Sequence, residues 1–114
     1  MKDDRLYLIH IRECIERIEQ YTLGGKDAFF ADIKTQDAVL RVLQTLAEST
    51  QRISDPLKAN HPDVDWRNIS AFRNVVVHGY LSIDLKRIWD IVESDLPDLK
   101  AKLEAIMREL EKTP

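Results

Sequence analysis

Residues 73–80 read Arg-Asn-Val-Val-Val-His-Gly-Tyr, and the interpretation of this stretch decides the fold. Three consecutive valines are typical of a buried β-strand. Apolar residues nevertheless recur at helical steps of three and four through this region: Trp66, Ile69, Phe72 and Val76. We therefore interpret the valines as part of a helix that ends near His78, where Gly79 loosens it.

The rest of the chain carries the same helical periodicity. In the first helix, one apolar stripe recurs at steps of three and four: Leu8, Ile11, Ile15 and Ile18. No alternating pattern is long enough to form a sheet. The predicted helices cover residues 3–21, 35–57, 63–78 and 84–93, and a last helix begins at 94 or 95. A short turn is predicted around 27–31, after Gly24 and Gly25 end the first helix. The predicted N-caps are Thr35, Asp63 or His61, Asp84, and Ser94 or Asp95. Pro56 is expected to distort the last turn of the second helix. The sequence thus predicts an all-α, antiparallel bundle of four or five helices.

The composition indicates one soluble domain that spans residues 1–114. Hydrophobic residues make up 44% and charged residues 32% of the chain, and the net charge of −3 argues against a surface that is basic throughout. The single cysteine, Cys14, excludes an intrachain disulfide and fits a reducing compartment. The N-terminus lacks the apolar stretch of a signal peptide, and no apolar run is long enough to span a membrane. We expect a cytoplasmic protein with no membrane partner.

The polar residues that flank the valines are the candidate functional residues. Arg73 and His78 are five positions apart, which separates them by about 140° around a helix. They could therefore share a site only at a helix end, or in a site assembled from two subunits. Arg73 and Tyr80 are seven positions apart, so a continued helix would place both on one face.

This arrangement resembles the HEPN domain family. Arg73 and His78 match the R-x4-H motif with the usual polar residue, Asn74, after the arginine, and Tyr80 extends it to the R-x4-H-x-Y form of the HepT-like branch. Three segments resemble the family around the motif: PDVDWRNISAFRN at 62–74, TQDAVLRVLQTLAES at 35–49 and GYLSIDLKRIWDIVESDLPDLK at 79–100. Where the family usually has Gly-Glu-Ala, this chain has Ala-Glu-Ser at 47–49, so only Glu48 is kept.

The resemblance implies a HEPN-like fold and a metal-independent endoribonuclease, the toxin of a type VII toxin–antitoxin pair. His78 would act as base or acid, because histidine titrates near neutral pH. Arg73 would hold phosphate oxygens with its planar fork, and Asn74 would bind the phosphate or orient His78. In the family, two motifs meet across a homodimer, and the expected product is a 2′,3′-cyclic phosphate. No cofactor and no metal are implied.

The same resemblance assigns a second role to Tyr80. In this branch the tyrosine is modified by the cognate antitoxin, a minimal nucleotidyltransferase (MNT), which transfers AMP from ATP to the phenol. Added negative charge at the edge of the cleft would repel RNA.

Other interpretations of these residues stay open at this point. The chain could be a catalytically silent HEPN scaffold that binds a nucleotidyltransferase or RNA, or only a substrate for nucleotidylation. His10 and Cys14 are four apart on one helix face and could begin a metal site, but no second pair has ligand spacing, so we interpret them as structural. Trp66 and Trp89 are interpreted as core or dimer-interface residues.

Overall fold

The computed structural model describes residues 4–74 and 84–112 of the chain. The helices are α1 Asp4–Tyr21, α2 Gly25–Ala31, α3 Ile33–Gln51, α4 Asp55–Asn60, α5 Trp66–Ser70, α6 Leu85–Asp90 and α7 Leu96–Lys112, and a π-helical segment, Ile91–Asp95, joins the last two. These two described ranges contain no β-strand. The predicted all-α class is confirmed. The valine run and the predicted helix end at His78 lie outside the described residues.

The core forms where α1 packs along α3 and α7 packs against α1. The apolar stripe predicted on α1 is buried, and its members are Leu8, Ile11, Ile15 and Ile18. The inward face of α3 is also buried. Its apolar residues are related by the same helical steps of three and four: Val39, Val42, Leu43 and Leu46. Each such side chain stabilises the fold by about 1.5–3 kcal/mol relative to exposure to water.

The start of α3 differs from the prediction. Asp32, and not Thr35, is the N-cap: its carboxylate accepts from the backbone N–H of Lys34 at 3.2 Å and from the Thr35 hydroxyl at 2.6 Å. These two bonds lower the pKa of the Asp32 carboxyl, with the Thr35 bond as the largest cause. The predicted turn at 27–31 is also wrong, because it is the helix α2. Gly25 begins that helix at a φ of +88°, which favours glycine.

The second predicted helix is in fact two helices. α3 ends at Gln51, and Ser54 caps α4 through its hydroxyl, which accepts from the N–H of Leu57 at 3.4 Å. Pro56 therefore lies in the first turn of α4, where its missing N–H has no helical partner to lose. The break is tied to the start of α1, because the Asp4 carboxylate accepts from both the N–H and the hydroxyl of Ser54, at 2.9 and 2.5 Å.

The predicted break at Ser94 or Asp95 is absent, because helical structure continues from Leu85 to Lys112 through the π-helical segment. Within it the N–H of Leu96 donates to the carbonyl of Ile91, five residues back. Pro97 explains the widened turn, since a proline ring clashes with the carbonyl four residues before it and cannot donate to it. The predicted cap Asp84 is confirmed by its bond from the N–H of Arg87 at 3.0 Å.

The cap of α5 is Asp65, not Asp63 or His61. Its carboxylate accepts from the backbone N–H of Asn68 at 3.1 Å. Asp63 and His61 instead contribute their backbone carbonyls to neighbouring side chains, which hold the loop before α5 in place. Within the described ranges, no helix is both long enough and apolar enough to cross a membrane.

Candidate functional site

The short helix α5 and the residues that follow it carry the first half of the candidate site. α5 packs against α3, and helical backbone resumes at 72–74. The N–H of Asn74 donates to the carbonyl of Ala71 at 2.9 Å. Arg73 and Asn74 are therefore placed on helical backbone immediately after an element that is packed on the core.

Buried side chains anchor this part of the chain. Ile69 and Phe72 are 5% and 0% exposed, so the residue directly before Arg73 is fixed inside the core. The indole N–H of Trp66 donates to the carbonyl of His61 at 3.0 Å. The ammonium of Lys102 on α7 donates to the carbonyl of Asp63 at 2.6 Å and pairs with Asp98 at 3.0 Å. Anchoring of this kind reduces the entropy that a bound substrate would have to remove.

The side chains of Arg73 and Asn74 themselves are exposed. Among the described residues, no ion pair or hydrogen bond engages the Arg73 guanidinium. An arginine whose backbone is fixed and whose guanidinium is exposed is suited to bind a phosphate or carboxylate of another molecule. The other two predicted site residues, His78 and Tyr80, lie outside the described residues.

The possible metal pair on α1 has other partners. Cys14 is 1% exposed, and burial raises the pKa of its thiol, which disfavours the thiolate that a metal would need. The Nδ1 atom of His10 lies 2.7 Å from the Ser49 hydroxyl of α3. In the described part of the chain, no three His, Cys, Asp or Glu side chains are grouped to hold a metal ion. These contacts support the structural interpretation of His10 and Cys14.

The two tryptophans also have structural positions. Trp89 is 8% exposed and its ring centroid lies 5.4 Å from that of Phe29 in α2, which confirms it as a core residue. Trp66 is half-buried against the core. Glu48, the residue that this chain shares with the family's Gly-Glu-Ala, is exposed on α3. The His10–Ser49 and Asp4–Ser54 contacts were not predicted, because they join residues that belong to no recognisable sequence motif and are far apart in the sequence.

Comparison with known proteins identifies the family. The family model described as ribonuclease HepT-like matches residues 11–106, which include the whole Arg73 to Tyr80 stretch. The chain belongs to the HepT-like ribonuclease family. Its relatives include the protein named "Probable ribonuclease HepT" of Thermococcus cleftensis, which is 36% identical over 90% of this chain and 94% of the relative.

Two proteins of Methanocaldococcus jannaschii are also similar to this HepT-like chain. One, named a "Putative RNase", is 32% identical over 96% of this chain and 92% of the relative. The other, named "Gamma-glutamylcyclotransferase and putative RNase", is 34% identical over 97% of this chain but only 50% of its own length. No solved structure matches the chain. The suspected family is thus confirmed.

Proposed function

We propose that this HepT-like protein is a metal-independent endoribonuclease whose site contains Arg73, His78 and Asn74. The observation that carries the proposal is the state of Arg73: its neighbour Phe72 is fully buried, while its own guanidinium is exposed and without a partner among the described residues. Membership of a ribonuclease family makes the phosphodiester of RNA the group that this guanidinium would bind. Arg73 would then stabilise the negative charge that grows on the phosphate oxygens.

The chemistry needs no group beyond protein and RNA. The 2′-oxygen of the ribose attacks the neighbouring phosphorus, the bond from phosphorus to the 5′-oxygen breaks, and a 2′,3′-cyclic phosphate forms. A base removes the proton of the 2′-hydroxyl, and an acid protonates the departing 5′-oxygen. His78 can do either, because imidazole titrates near neutral pH. Asn74 would bind the phosphate or orient His78. In a continuous helix, residues five positions apart such as Arg73 and His78 would be separated by about 140°, so we propose that a homodimer brings two copies of the motif to one cleft.

The test is cleavage of RNA by the purified protein in excess EDTA, with the ends of the products identified. We expect cleavage that survives chelation, products that end in a 2′,3′-cyclic phosphate, and a loss of at least about 100-fold in rate for His78→Ala. His10→Ala is the matched control, because it removes an imidazole that is outside the motif in the sequence and contacts Ser49. Products that end in a 3′-hydroxyl, or full activity in His78→Ala, would contradict the mechanism.

We further propose that the protein is the toxin of a toxin–antitoxin pair, switched off when an MNT antitoxin transfers AMP to Tyr80. The phenol oxygen would attack the α-phosphorus of ATP, pyrophosphate would leave, and the phenol proton would pass to solvent. Each AMP adds a phosphodiester and about one negative charge beside the site, where it repels RNA. The support for this step is the position of Tyr80, two residues after His78 in a HepT-like chain.

Tyr80→Phe tests the switch, because it removes the acceptor oxygen and keeps the ring. We expect the variant to cut RNA and to resist inactivation by the partner enzyme and ATP. Tyr21→Phe is the matched control, since Tyr21 is 40% exposed and lies at the end of α1. Mass spectrometry should find AMP on the wild type and on Tyr21→Phe, and none on Tyr80→Phe. AMP on Tyr80→Phe would place the acceptor elsewhere.

A further inference from the structure

The part of the chain that leads to Arg73 has different surroundings on its two sides. We call residues 61–74, which comprise α5, the loop before it and the turn after it, the Arg73 segment. On one side α5 packs against α3, and Ile69 is buried. On the other side lies an open cleft of about 190 Å³, which Asn68 and Ile69 line from α5 and Leu99 and Lys102 line from α7. Close packing therefore supports the segment towards α3, whereas a cleft borders it towards α7.

Lys102 connects the two sides of this cleft. Its ammonium donates to the carbonyl of Asp63 at 2.6 Å, across 39 positions of sequence, and pairs with Asp98 of α7 at 3.0 Å. Asp63 lies three residues before Trp66, the first residue of α5. A hydrogen bond from a charged donor is about twice as strong as one between neutral groups. The Arg73 segment is therefore tied to α7 through its backbone.

The helix cap and the indole bond of the Arg73 segment lie inside the segment itself. Asp65 accepts from the N–H of Asn68, and Trp66 donates to the carbonyl of His61. Such bonds maintain the internal shape of the segment but do not fix its position relative to the rest of the fold. α5 has only five residues, and a helix of that length is not stable alone. The bond from Lys102, by contrast, fixes the segment to a helix of 17 residues that packs on α1.

We propose that Lys102 is a positioning residue for Arg73, whose guanidinium it holds in place through the bond to the Asp63 carbonyl. The proposal rests on the ribonuclease function proposed above. Without the bond, the loop is free to move relative to α7, and Arg73 at the far end of the segment moves with it. Misplacement of a group by about 1 Å can cost about 100-fold in rate, even when the substitution is distant from the chemistry. Lys102 acts through Arg73 and not on the RNA, because its own donors are directed to Asp63 and Asp98.

The test is steady-state RNA cleavage by the full chain with Lys102→Met, which keeps the aliphatic stem and removes the charge and the donors. We expect kcat to fall at least about tenfold and KM to stay within about twofold of wild type, because Arg73 acts in the transition state. Lys102→Arg should restore most of the rate, since arginine keeps the charge and the donors.

Lys100→Met is the matched control. Lys100 lies two residues earlier on α7, and its side chain is 25% exposed, against 31% for Lys102. It pairs with Glu19 at 3.0 Å and with Glu16 at 3.9 Å, both on α1. The control therefore removes a similar lysine and its ion pairs from the same helix, but not the bond to the Arg73 segment. We expect its kcat to stay within about threefold of wild type, and circular dichroism checks that both variants keep the wild-type helix content.

A double-mutant cycle with Arg73→Ala distinguishes positioning from a general loss of structure. In the Arg73→Ala background, Lys102→Met should change the residual rate by less than about threefold, because the guanidinium that Lys102 positions is already absent. The same tenfold loss in both backgrounds would overturn the proposal, since Lys102 would then act on the RNA or on the whole fold independently of Arg73.

Hydrogen exchange tests the anchor without RNA. The N–H groups of Ile69 and Ala71 donate within the segment to the carbonyls of Asp65 and Arg67, at 3.1 and 3.0 Å. In Lys102→Met they should exchange at least about fivefold faster than in Lys100→Met. Unchanged exchange would overturn the proposal, and so would full kcat in Lys102→Met when the wild type cuts RNA. A wild-type chain that does not cut RNA contradicts the proposed function itself and removes the positioning role with it, whatever the exchange rates.

Discussion

Replacing Gln36 with methionine should weaken the attachment of α2 to α3. Methionine has a similar length and stays buried at this position, but it cannot donate the two hydrogen bonds from Nε2 to the carbonyls of Phe29 and Phe30. Two lost bonds at about 0.5–1.5 kcal/mol each give a destabilisation of about 1–3 kcal/mol.

The surroundings of the two carbonyls narrow the range of the expected destabilisation. The Phe29 carbonyl also accepts from the N–H of Asp32 at 3.4 Å, so it keeps one partner. The bond to the Phe30 carbonyl is only partly buried, so water can replace the amide there. Neither acceptor is left fully unsatisfied, and we therefore expect about 1–2 kcal/mol rather than the upper limit.

The assay is urea unfolding at a fixed protein concentration, with Gln51→Met as control. Gln51 is exposed at the end of the same helix, so the control reproduces the change in helix propensity without the lost bonds. Hydrogen exchange should accelerate selectively at the amides of α2 in Gln36→Met. Equal stability of the two variants, within about 0.3 kcal/mol, would refute the view that Gln36 anchors α2.

Three further results are expected. Asp4→Asn should destabilise the fold by about 1–2 kcal/mol in urea unfolding, because an amide has only one acceptor oxygen for the two bonds from Ser54; an unchanged midpoint would contradict this. The bond from the Thr35 hydroxyl lowers the pKa of Asp32 in the folded protein. The ionised carboxylate therefore stabilises the fold above the unfolded pKa of about 3.8, and this stabilisation is lost as the pH falls through the lower folded pKa. Between about pH 5 and pH 2, Asp32→Asn should therefore lose less stability than the wild type. Burial raises the pKa of the Cys14 thiol, so a thiol reagent should modify the folded protein much more slowly than the urea-unfolded protein, and equal rates would contradict its buried position.

Sequence periodicity was sufficient for the helical class and for the core, because burial of an apolar stripe is a local property of a helix. Leu8, Ile11, Ile15 and Ile18 illustrate this: their spacing alone placed them inside, and all four are buried. The R-x4-H-x-Y motif predicted the HepT-like ribonuclease family, which composition alone could not indicate.

The boundaries of the helices were less predictable, because they depend on partners distant in sequence or on competition between neighbouring caps. The end of α3 is linked to Ser54, whose N–H and hydroxyl bind Asp4 fifty residues away. At the start of α3, Asp32 was missed as the cap because Thr35 also has the chemistry of a cap, and in fact donates to it. The last helix was predicted to begin at 94 or 95, but the helix continues through a widened turn that accommodates Pro97.

Comparison of Arg73→Ala with Arg67→Ala in an RNA-cleavage assay tests the central claim most directly. Both arginines are exposed, they lie six residues apart in the chain, and neither has an ion pair among the described residues, so each variant removes one exposed positive charge. Only Arg73 belongs to the R-x4-H-x-Y motif. We expect Arg73→Ala to lose at least about 100-fold in rate with excess EDTA present, and Arg67→Ala to stay within about threefold of wild type. Equal rates for the two variants would contradict the assignment of Arg73 to the site.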